Sequence, residues 1–343
     1  METFKFSNVE ETISYLNKNS SYGHVVFCDP EKVKQISSAV TGNVVLCSTS
    51  GEYTSEGFEK HVCTGFQFDL KEVEIVEISY PPIKSLESLK RAYEKVKNNE
   101  NAFALLLCDG LSGAEESIMT TFFFARDNFK IIGGSAGDYT EFKETFIYHG
   151  NRKVHSIALF FNSKKRTQII KENIYKPTGT KLLVTEADSV NRIVKSFNNN
   201  PASTEYARAL GIAESELPKY FMNNPLGKVS KDNIYISSPM KVNSDKSITF
   251  YCQILTNTFV EVLEPTDTLS MIKHTLNEVK FKPNFTLALN CILRSLKFQD
   301  ESLWKSIDNE LLNFCKNTTG FICYGEQYYK AHLNQTMVLL VTE

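Results

Sequence analysis

The sequence predicts an α/β protein, a mixed α/β sandwich of parallel and antiparallel strands built as two related halves. Three observations carry that expectation. Short apolar runs alternate with helical patterns as far as about residue 130, the signal of an α/β arrangement. After Ile131-Ile132 the period changes, and two strand-like runs flank Gly150-Asn151, which is hairpin chemistry and brings in antiparallel pairing. Finally, Thr41–Tyr53 and Thr319–Tyr328 share one pattern: a Gly after a helix, an apolar strand ending in Cys, then a Gly-Glu turn. Two related halves would explain the echo, and chance would explain it as well, since a match this short is weak evidence.

Taken in order, Ser7-Asn-Val-Glu10 reads as a capping box before a helix with Val9, Ile13 and Leu16 on one face. His24–Cys28 is a buried strand. Asp29-Pro30 supplies an N-cap and a first-turn proline for a helix carrying Val33, Ile36 and Val40, and Asn43–Cys47 is the next strand. Glu72–Tyr80 alternates charged and apolar residues as a half-exposed strand does, and a helix follows over Ser85–Lys97. Ala102–Cys108 is a central strand. Ser112-Gly-Ala-Glu115 is a second capping box, opening a helix with Ile118, Phe122 and Phe129 on its face. Thr145–His149 and Lys153–Phe161 are the two arms of the hairpin. Asn198-Asn-Asn-Pro201 has linker chemistry and divides the chain into domains 1–200 and 201–343. The second domain carries strands near Ile234–Ser237, Ser247–Leu255, Leu287–Leu293, Phe321–Tyr324 and Met337–Val341, with helices near Leu269–Val279 and Leu303–Cys315.

At roughly 150 residues per domain, 343 residues suit two domains. With 42% hydrophobic residues, 24 Phe and 15 Tyr, a disordered chain is excluded. The balance of 38 Lys+Arg against 40 Asp+Glu lacks the basic footprint of a nucleic-acid binder. No apolar run approaches the ~18 residues of a membrane span, and Met1–Phe6 lacks the basic and apolar regions of a signal peptide. The eight Cys include no Cys-x-x-Cys pair, and Cys28, Cys47, Cys108 and Cys291 sit in or at the end of apolar runs. Buried free thiols in a reducing cytoplasm are the expectation.

Motif by motif, the nucleotide fingerprints fail: Gly227-Lys228 has neither the upstream Gly nor the following Ser/Thr of a phosphate loop. Gly133-Gly-Ser-Ala-Gly137 satisfies the Gly-x-Ser-x-Gly pattern of a hydrolase elbow, with Asp188 or Asp232 and then His274 or His332 in permissible order, but no amphipathic helix follows. A glycine-rich loop that turns tightly or approaches a ligand is the favoured alternative. The histidines at 24, 61, 149, 155, 274 and 332 show no paired metal spacing, although His61-Val-Cys63 and His149 with His155 each place two ligand types near one another. Glu52 and Glu326 each follow a Gly at a strand end, where open α/β sheets bind ligands, and Arg294 follows the Leu287–Leu293 run. A cleft shared by Glu52, Glu326 and Arg294 would match the two charges of a zwitterion.

At these residues the chain resembles a FIST-domain protein with both N-terminal and C-terminal modules. The likeness rests on Leu46-Cys-Ser-Thr-Ser-Gly-Glu52, Gly133-Gly-Ser-Ala-Gly-Asp138 and His149-Gly150, then on Asn224-Pro-Leu-Gly227, Asn290-Cys-Ile-Leu-Arg294, Gly320-Phe-Ile-Cys-Tyr-Gly-Glu326 and Asn334-Gln-Thr336. Leu255-Thr-Asn-Thr-Phe259 departs from the family pattern in lacking a glycine. The resemblance implies a sensory module that binds a small molecule such as an amino acid, with a separate polypeptide as signalling output. Cys47, Ser48, Gly51, Glu52, Gly133, Gly134, Gly137, Asp138, Arg294, Gly325, Glu326 and Asn334 are the candidate ligand-binding residues, with no catalytic or metal-binding residue assigned. Some relatives carry haem and respond to nitric oxide, so a haem-based sensor is one alternative, with no histidine assigned as its ligand. A serine hydrolase using Ser135 is the other.

Overall fold

The computed structural model describes residues 1–40, 42–230 and 233–343. Thr41, which opens the echo, and Asp232, one acid considered for a triad, lie outside them. The chain begins with β1 (Glu2–Phe6), α1 (Val9–Lys18), β2 (Gly23–Cys28), α2 (Pro30–Ala39) and β3 (Val44–Ser48), then a hairpin of β4 (Glu52–Thr54) and β5 (Gly57–Glu59), then β6 (Cys63–Phe68). The same order recurs in β7 (Val73–Ile78), α3 (Leu86–Val96), β8 (Phe103–Cys108), α4 (Glu115–Ala125), β9 (Ile131–Ser135), the hairpin β10 (Ile147–His149) and β11 (Arg152–Val154), and β12 (Ser156–Phe161). A third repeat opens with β13 (Thr167–Asn173). It is interrupted by β14 (Tyr175–Asp188), β15 (Ile193–Phe197), β16 (Asn200–Pro201), α5 (Ala202–Leu210), β17 (Leu226–Ser230), β18 (Asn233–Ser237), β19 (Pro239–Val242), β20 (Ile248–Phe250), β21 (Phe259–Pro265) and α6 (Thr268–Leu276). It resumes as β22 (Phe285–Cys291), α7 (Ile292–Asp300), α8 (Trp304–Phe314), β23 (Thr318–Cys323), the hairpin β24 (Glu326–Tyr328) and β25 (Ala331–Leu333), and β26 (Thr336–Thr342).

Two compact units result. The first holds Met1–Glu172, Ile272–His332 and Met337–Glu343, the second Asn173–Met271 and Leu333–Thr336. In the first, each repeat builds a six-stranded sheet on one plan: β1-β6-β2-β3-β10-β11, β7-β12-β8-β9-β24-β25 and β13-β26-β22-β23-β4-β5. The inner pairs β2/β3, β8/β9 and β22/β23 are parallel, and their closing neighbours are antiparallel. Each hairpin leaves its own repeat and pairs with the preceding one in a cycle, β10 with β3, β24 with β9 and β4 with β23. The exchange has a physical reason: a lone hairpin is marginal in water, and β3, β9 and β23 would otherwise be open edges. The sequence echo therefore joins the first and third members of a threefold pattern, in which Cys28, Cys108 and Cys291 end the three leading strands.

Strands buried on both faces read as unbroken apolar runs, and that is the case here. Val25 and Phe27 of β2, Leu105 and Leu107 of β8, and Leu287 and Leu289 of β22 meet in one central core. The alternate residues Val26 and Cys28 pack under α1 and α2, and Ala104 and Leu106 under α3 and α4. The second unit carries an eight-stranded antiparallel sheet, with Phe197, Tyr206, Leu226 and Val262 in its core. Asn257, in the stretch lacking the family glycine, takes the left-handed φ of 62° that Asn tolerates best after Gly.

Several sequence readings shift locally. Asn8, not Ser7, caps α1, accepting from Glu11 N at 2.8 Å. Nothing caps α4 with a side chain; the Ser112 hydroxyl instead accepts from Ala114 N at 3.3 Å. The second hairpin arm stops at Val154, and Ser156–Phe161 crosses to a different sheet. Asn198–Pro201 is a tight turn inside the second unit, with Asn198 and Asn199 at φ 51° and 62°. Ile292, expected to extend a strand, begins α7. No helix among the described residues is long and apolar enough to cross a membrane.

His24 is fully buried in β2, edge-on to Phe4 and Tyr15, and neither ring nitrogen has a partner among the described residues. Burial depresses its pKa from 6.5 to about 4, so the unfolded chain takes up a proton that the fold refuses between those values. Stability should fall as pH drops through that window, by on the order of 3 kcal/mol. His24→Leu is expected to flatten the acid limb of urea-unfolding free energies, with the pH 7 value changed much less.

Candidate functional site

Four loops of the first unit leave the ends of β2, β3, β9 and β23, the places where α/β sheets receive ligands. Asp29 caps α2 through Lys32 N at 3.0 Å. Glu52 opens the β4 hairpin and is fully buried, accepting from the Thr49 hydroxyl and, at 3.4 Å, from Val62 N. Burial pushes its carboxyl up to about 8, against the pull of those two donors. Beyond β9, the Asp138 carboxylate accepts from the backbone N–H groups of Phe142, Lys143 and Glu144 at 3.0, 2.7 and 3.0 Å and from the Tyr324 hydroxyl. Burial alone would raise its pKa; these donors hold it below the ordinary Asp value. They also hold Tyr139, Thr140 and Phe142 at positive φ (58°, 67° and 51°), which non-glycine residues adopt only under constraint. Asp138→Ala should therefore release the 139–144 loop and cost about 2 kcal/mol, read as a lower unfolding midpoint and faster amide exchange over those residues.

Tyr139 joins the loops. Its backbone N–H donates to the Ser50 hydroxyl at 2.9 Å, its hydroxyl donates to Glu52 at 3.4 Å, and that hydroxyl accepts from His61 N at 3.3 Å. The His61 ring stacks on Tyr139 with centroids 4.8 Å apart, and its Nδ1 lies 3.7 Å from Asp29. Beside this cluster is a cleft of about 410 Å³, bounded by Asp29, Glu31, Lys34, His61, Tyr139 and Phe146 among others. Lys34 sits 4.5 Å above the Phe146 ring.

The expected site residues divide into those near this cleft and those elsewhere. Glu52, Gly51, Gly137, Asp138 and Ser48 belong to it or to its supports. The Ser48 hydroxyl donates to Gly137 O and accepts from Phe146 N, both at 2.9 Å, bolting the first repeat to the second. A side chain on Gly137 would strike the Ser50 hydroxyl at 2.3 Å, and Gly51 has φ 133°. Cys47 points into the central core, where burial raises its thiol pKa. Gly133 and Gly134 are not in a loop. They lie inside β9, where a Cβ would meet Leu106 O at 2.4 Å and the Phe321 ring at 2.8 Å. Gly325 O accepts from Ser135 N at 2.9 Å, and buried Glu326 accepts from the Cys323 thiol at 3.4 Å.

Arg294 does not open into a cleft. It is wholly buried in the first turn of α7, in an ion pair with Glu172, over the Phe298 ring at 4.9 Å. Asn334 belongs to the second unit, accepting from the Cys252 thiol at 2.8 Å and Ser238 N at 3.4 Å. Ser135 ends a strand rather than a strand-to-helix elbow; its hydroxyl donates to Glu115 at 3.0 Å and accepts from Gln327 at 3.1 Å. A haem needs an apolar slot with an axial ligand. The cleft that holds His61 is ringed by carboxylates and ammonium groups and does not fit one.

Family models match nearly the whole sequence, the FIST N domain on residues 24–200 and the FIST C domain on residues 202–329. The chain belongs to the FIST family. Among curated proteins, none matches it. The cleft residues of FIST N, Asp29 to Phe146, fall inside the first match, and Tyr324 inside the second. FIST domains are associated with small-ligand sensing in signal transduction. Sequence reasoning missed Asp29, His61, Tyr139 and Lys34 as cleft residues. Asp29 carried a usable signal, since it follows a strand end, but its helix-cap role explained it without a ligand.

Proposed function

We propose that the protein is a cytoplasmic sensor of FIST type, with family modules 1–200 and 201–343, that binds an amino-acid-like ligand and signals through a partner protein. The observation that carries this reading is the joining of Glu52, Tyr139, His61 and Asp29 at strand ends beside a cleft of about 410 Å³, within the 300–1,000 Å³ range of small-molecule sites. The cleft offers both charges: Asp29 for an ammonium group, and Lys34, paired with Glu31 at 3.1 Å, for a carboxylate, with Phe146 and the His61–Tyr139 stack as apolar walls. The hydrogen bonds of Asp138 support the wall in advance, which lowers the ordering cost of binding.

The test is native mass spectrometry of freshly purified protein, followed by thermal shifts with a panel of the free amino acids. A ligand at about a hundred times its Kd should add about 2.7 kcal/mol. Lys34→Ala and His61→Ala should each weaken it about tenfold, equivalent to about 1.4 kcal/mol. Binding left unchanged by both variants, or no shift with any amino acid, sinks the reading.

A further inference from the structure

The antiparallel register of β2 and β6 pairs Phe27 with Thr64, and one further step sets Cys28 against Cys63. Both side chains lie on the helix-covered face of the sheet, and the two thiols act on each other's titration, raising Cys28 and lowering Cys63. Directly opposed residues of an antiparallel pair have Cβ atoms about 4.5–5.5 Å apart, a small movement from what a disulfide requires. We propose that Cys28 and Cys63 form an oxidisable dithiol, in which Cys63 attacks a hydroperoxide and Cys28 resolves the product to a disulfide.

The surroundings separate this pair from the other cysteines. Thr12, whose hydroxyl donates to Asn8 O at 2.8 Å, lies beside Cys63, and the Lys32 ammonium stands near it, held by the His61 carbonyl and, at 3.6 Å, by Asp29. The Cys28 thiol, Thr12 and Lys32 together bring the Cys63 pKa down despite burial and the nearby Asp29 carboxylate. Thiolates next to ammonium groups are the reactive ones. Opposite Cys108 the second repeat has Ser156, so packing at this place does not call for a thiol. In the third repeat Cys291 and Cys323 are neighbours on parallel strands, but Glu326 lies against Cys323, whose thiol is pushed up. Cys63 itself is fully buried, while Asp29 and His61, its flanking neighbours in the fold, line the cleft. A thiol so buried excludes a bulky disulfide and leaves only an oxidant as small as hydrogen peroxide, entering beside the cleft residues.

The chemistry balances. The Cys63 thiolate attacks one peroxide oxygen, an S–O bond forms and the O–O bond breaks. The departing hydroxide takes the proton that Cys63 had released and leaves as water. Cys28 then attacks the Cys63 sulfenic acid, forming the S–S bond and breaking the S–O bond, and its own proton leaves with that oxygen as a second water. The two thiols lose two electrons and the peroxide gains them.

The experiment treats the full-length protein with hydrogen peroxide, blocks remaining thiols at timed intervals and maps peptides by mass spectrometry. The expected product is one peptide pair linking Cys28 to Cys63, two hydrogens lighter, formed several-fold faster than any other cysteine is lost, since the thiol beside an ammonium group is the more readily ionised one. In Cys28→Ser, dimedone should label Cys63. Lys32→Met, which leaves both thiols in place, should slow the wild-type link several-fold. A Cys28–Cys63 link that forms no faster than one between Cys291 and Cys323, or dimedone labelling elsewhere but not at Cys63, overturns the proposal. If Cys28→Ser fails to fold, the comparison of link rates in the unmutated chain still decides.

Discussion

Arg294→Met is expected to destabilise the protein by about 3–5 kcal/mol, because it strands a buried carboxylate. Arg294 and Glu172 are both inaccessible to solvent. The guanidinium touches the Glu172 carboxylate and donates from Nη1 to the Glu172 carbonyl at 3.3 Å, while Nε has no partner among the described residues. Burial pushes the Glu172 carboxyl up, and Arg294 pulls it back. With hydrogen-bonding capacity left unused on both sides, the pair recovers little more than its own desolvation cost, so an apolar pair of similar volume should serve as well. Glu172→Leu with Arg294→Met should accordingly regain most or all of the lost stability in urea unfolding, and Glu172→Leu alone should resemble Arg294→Met. If Arg294 were instead a ligand anchor, the single substitution would weaken binding while leaving the unfolding midpoint in place.

That residue also marks the limit of what the sequence made legible. The strands of the first unit are plain because both faces are buried, so Val25–Cys28, Ala104–Cys108 and Leu287–Leu289 read as apolar runs wherever they pair. Asp29-Pro30 and Gly150-Asn151 are plain because their local chemistry fixes a cap and a turn. Pairings between distant segments left no comparable trace. Glu172 lies 122 residues from Arg294, and the hairpin carrying Glu52 pairs with Phe321 of another repeat. The boundary at Ile292 was hidden because apolar residues continue across it, and β22 and the inward face of α7 ask for the same residue types. In the candidate site, Gly-Glu pairs at strand ends pointed to Glu52 and Glu326, and the glycine-rich loop to Asp138; the structure sets Glu52 and Asp138 beside a cleft and Glu326 against Cys323. Those signals could not show that Tyr139 connects Glu52 and Asp138, since its hydroxyl reaches Glu52 only because Asp138 holds the intervening backbone at positive φ.

The second large effect is expected at Glu52 and appears as a crossing of two pH profiles. The carboxyl titrates near 4.5 when the chain is unfolded and near 8 in the fold, raised chiefly by burial and further by Asp29 and Cys63. Between those values the folded protein keeps a proton that the unfolded chain has released. Stability therefore falls as pH rises through the window, by on the order of 5 kcal/mol. Glu52→Gln removes the titration and preserves the shape. Its amide oxygen still accepts from Thr49 and Tyr139, but its NH₂ group faces Val62 N, whose 3.4 Å bond to the second carboxylate oxygen is lost. One lost neutral bond costs about 1 kcal/mol. The variant should thus be slightly less stable than the natural protein near pH 5 and clearly more stable near pH 9. Urea unfolding at half-unit pH steps measures both curves. Parallel curves would mean that Glu52 carries the same charge in the folded and unfolded states, and the His61–Tyr139 wall of the cleft would then rest on an ionised carboxylate.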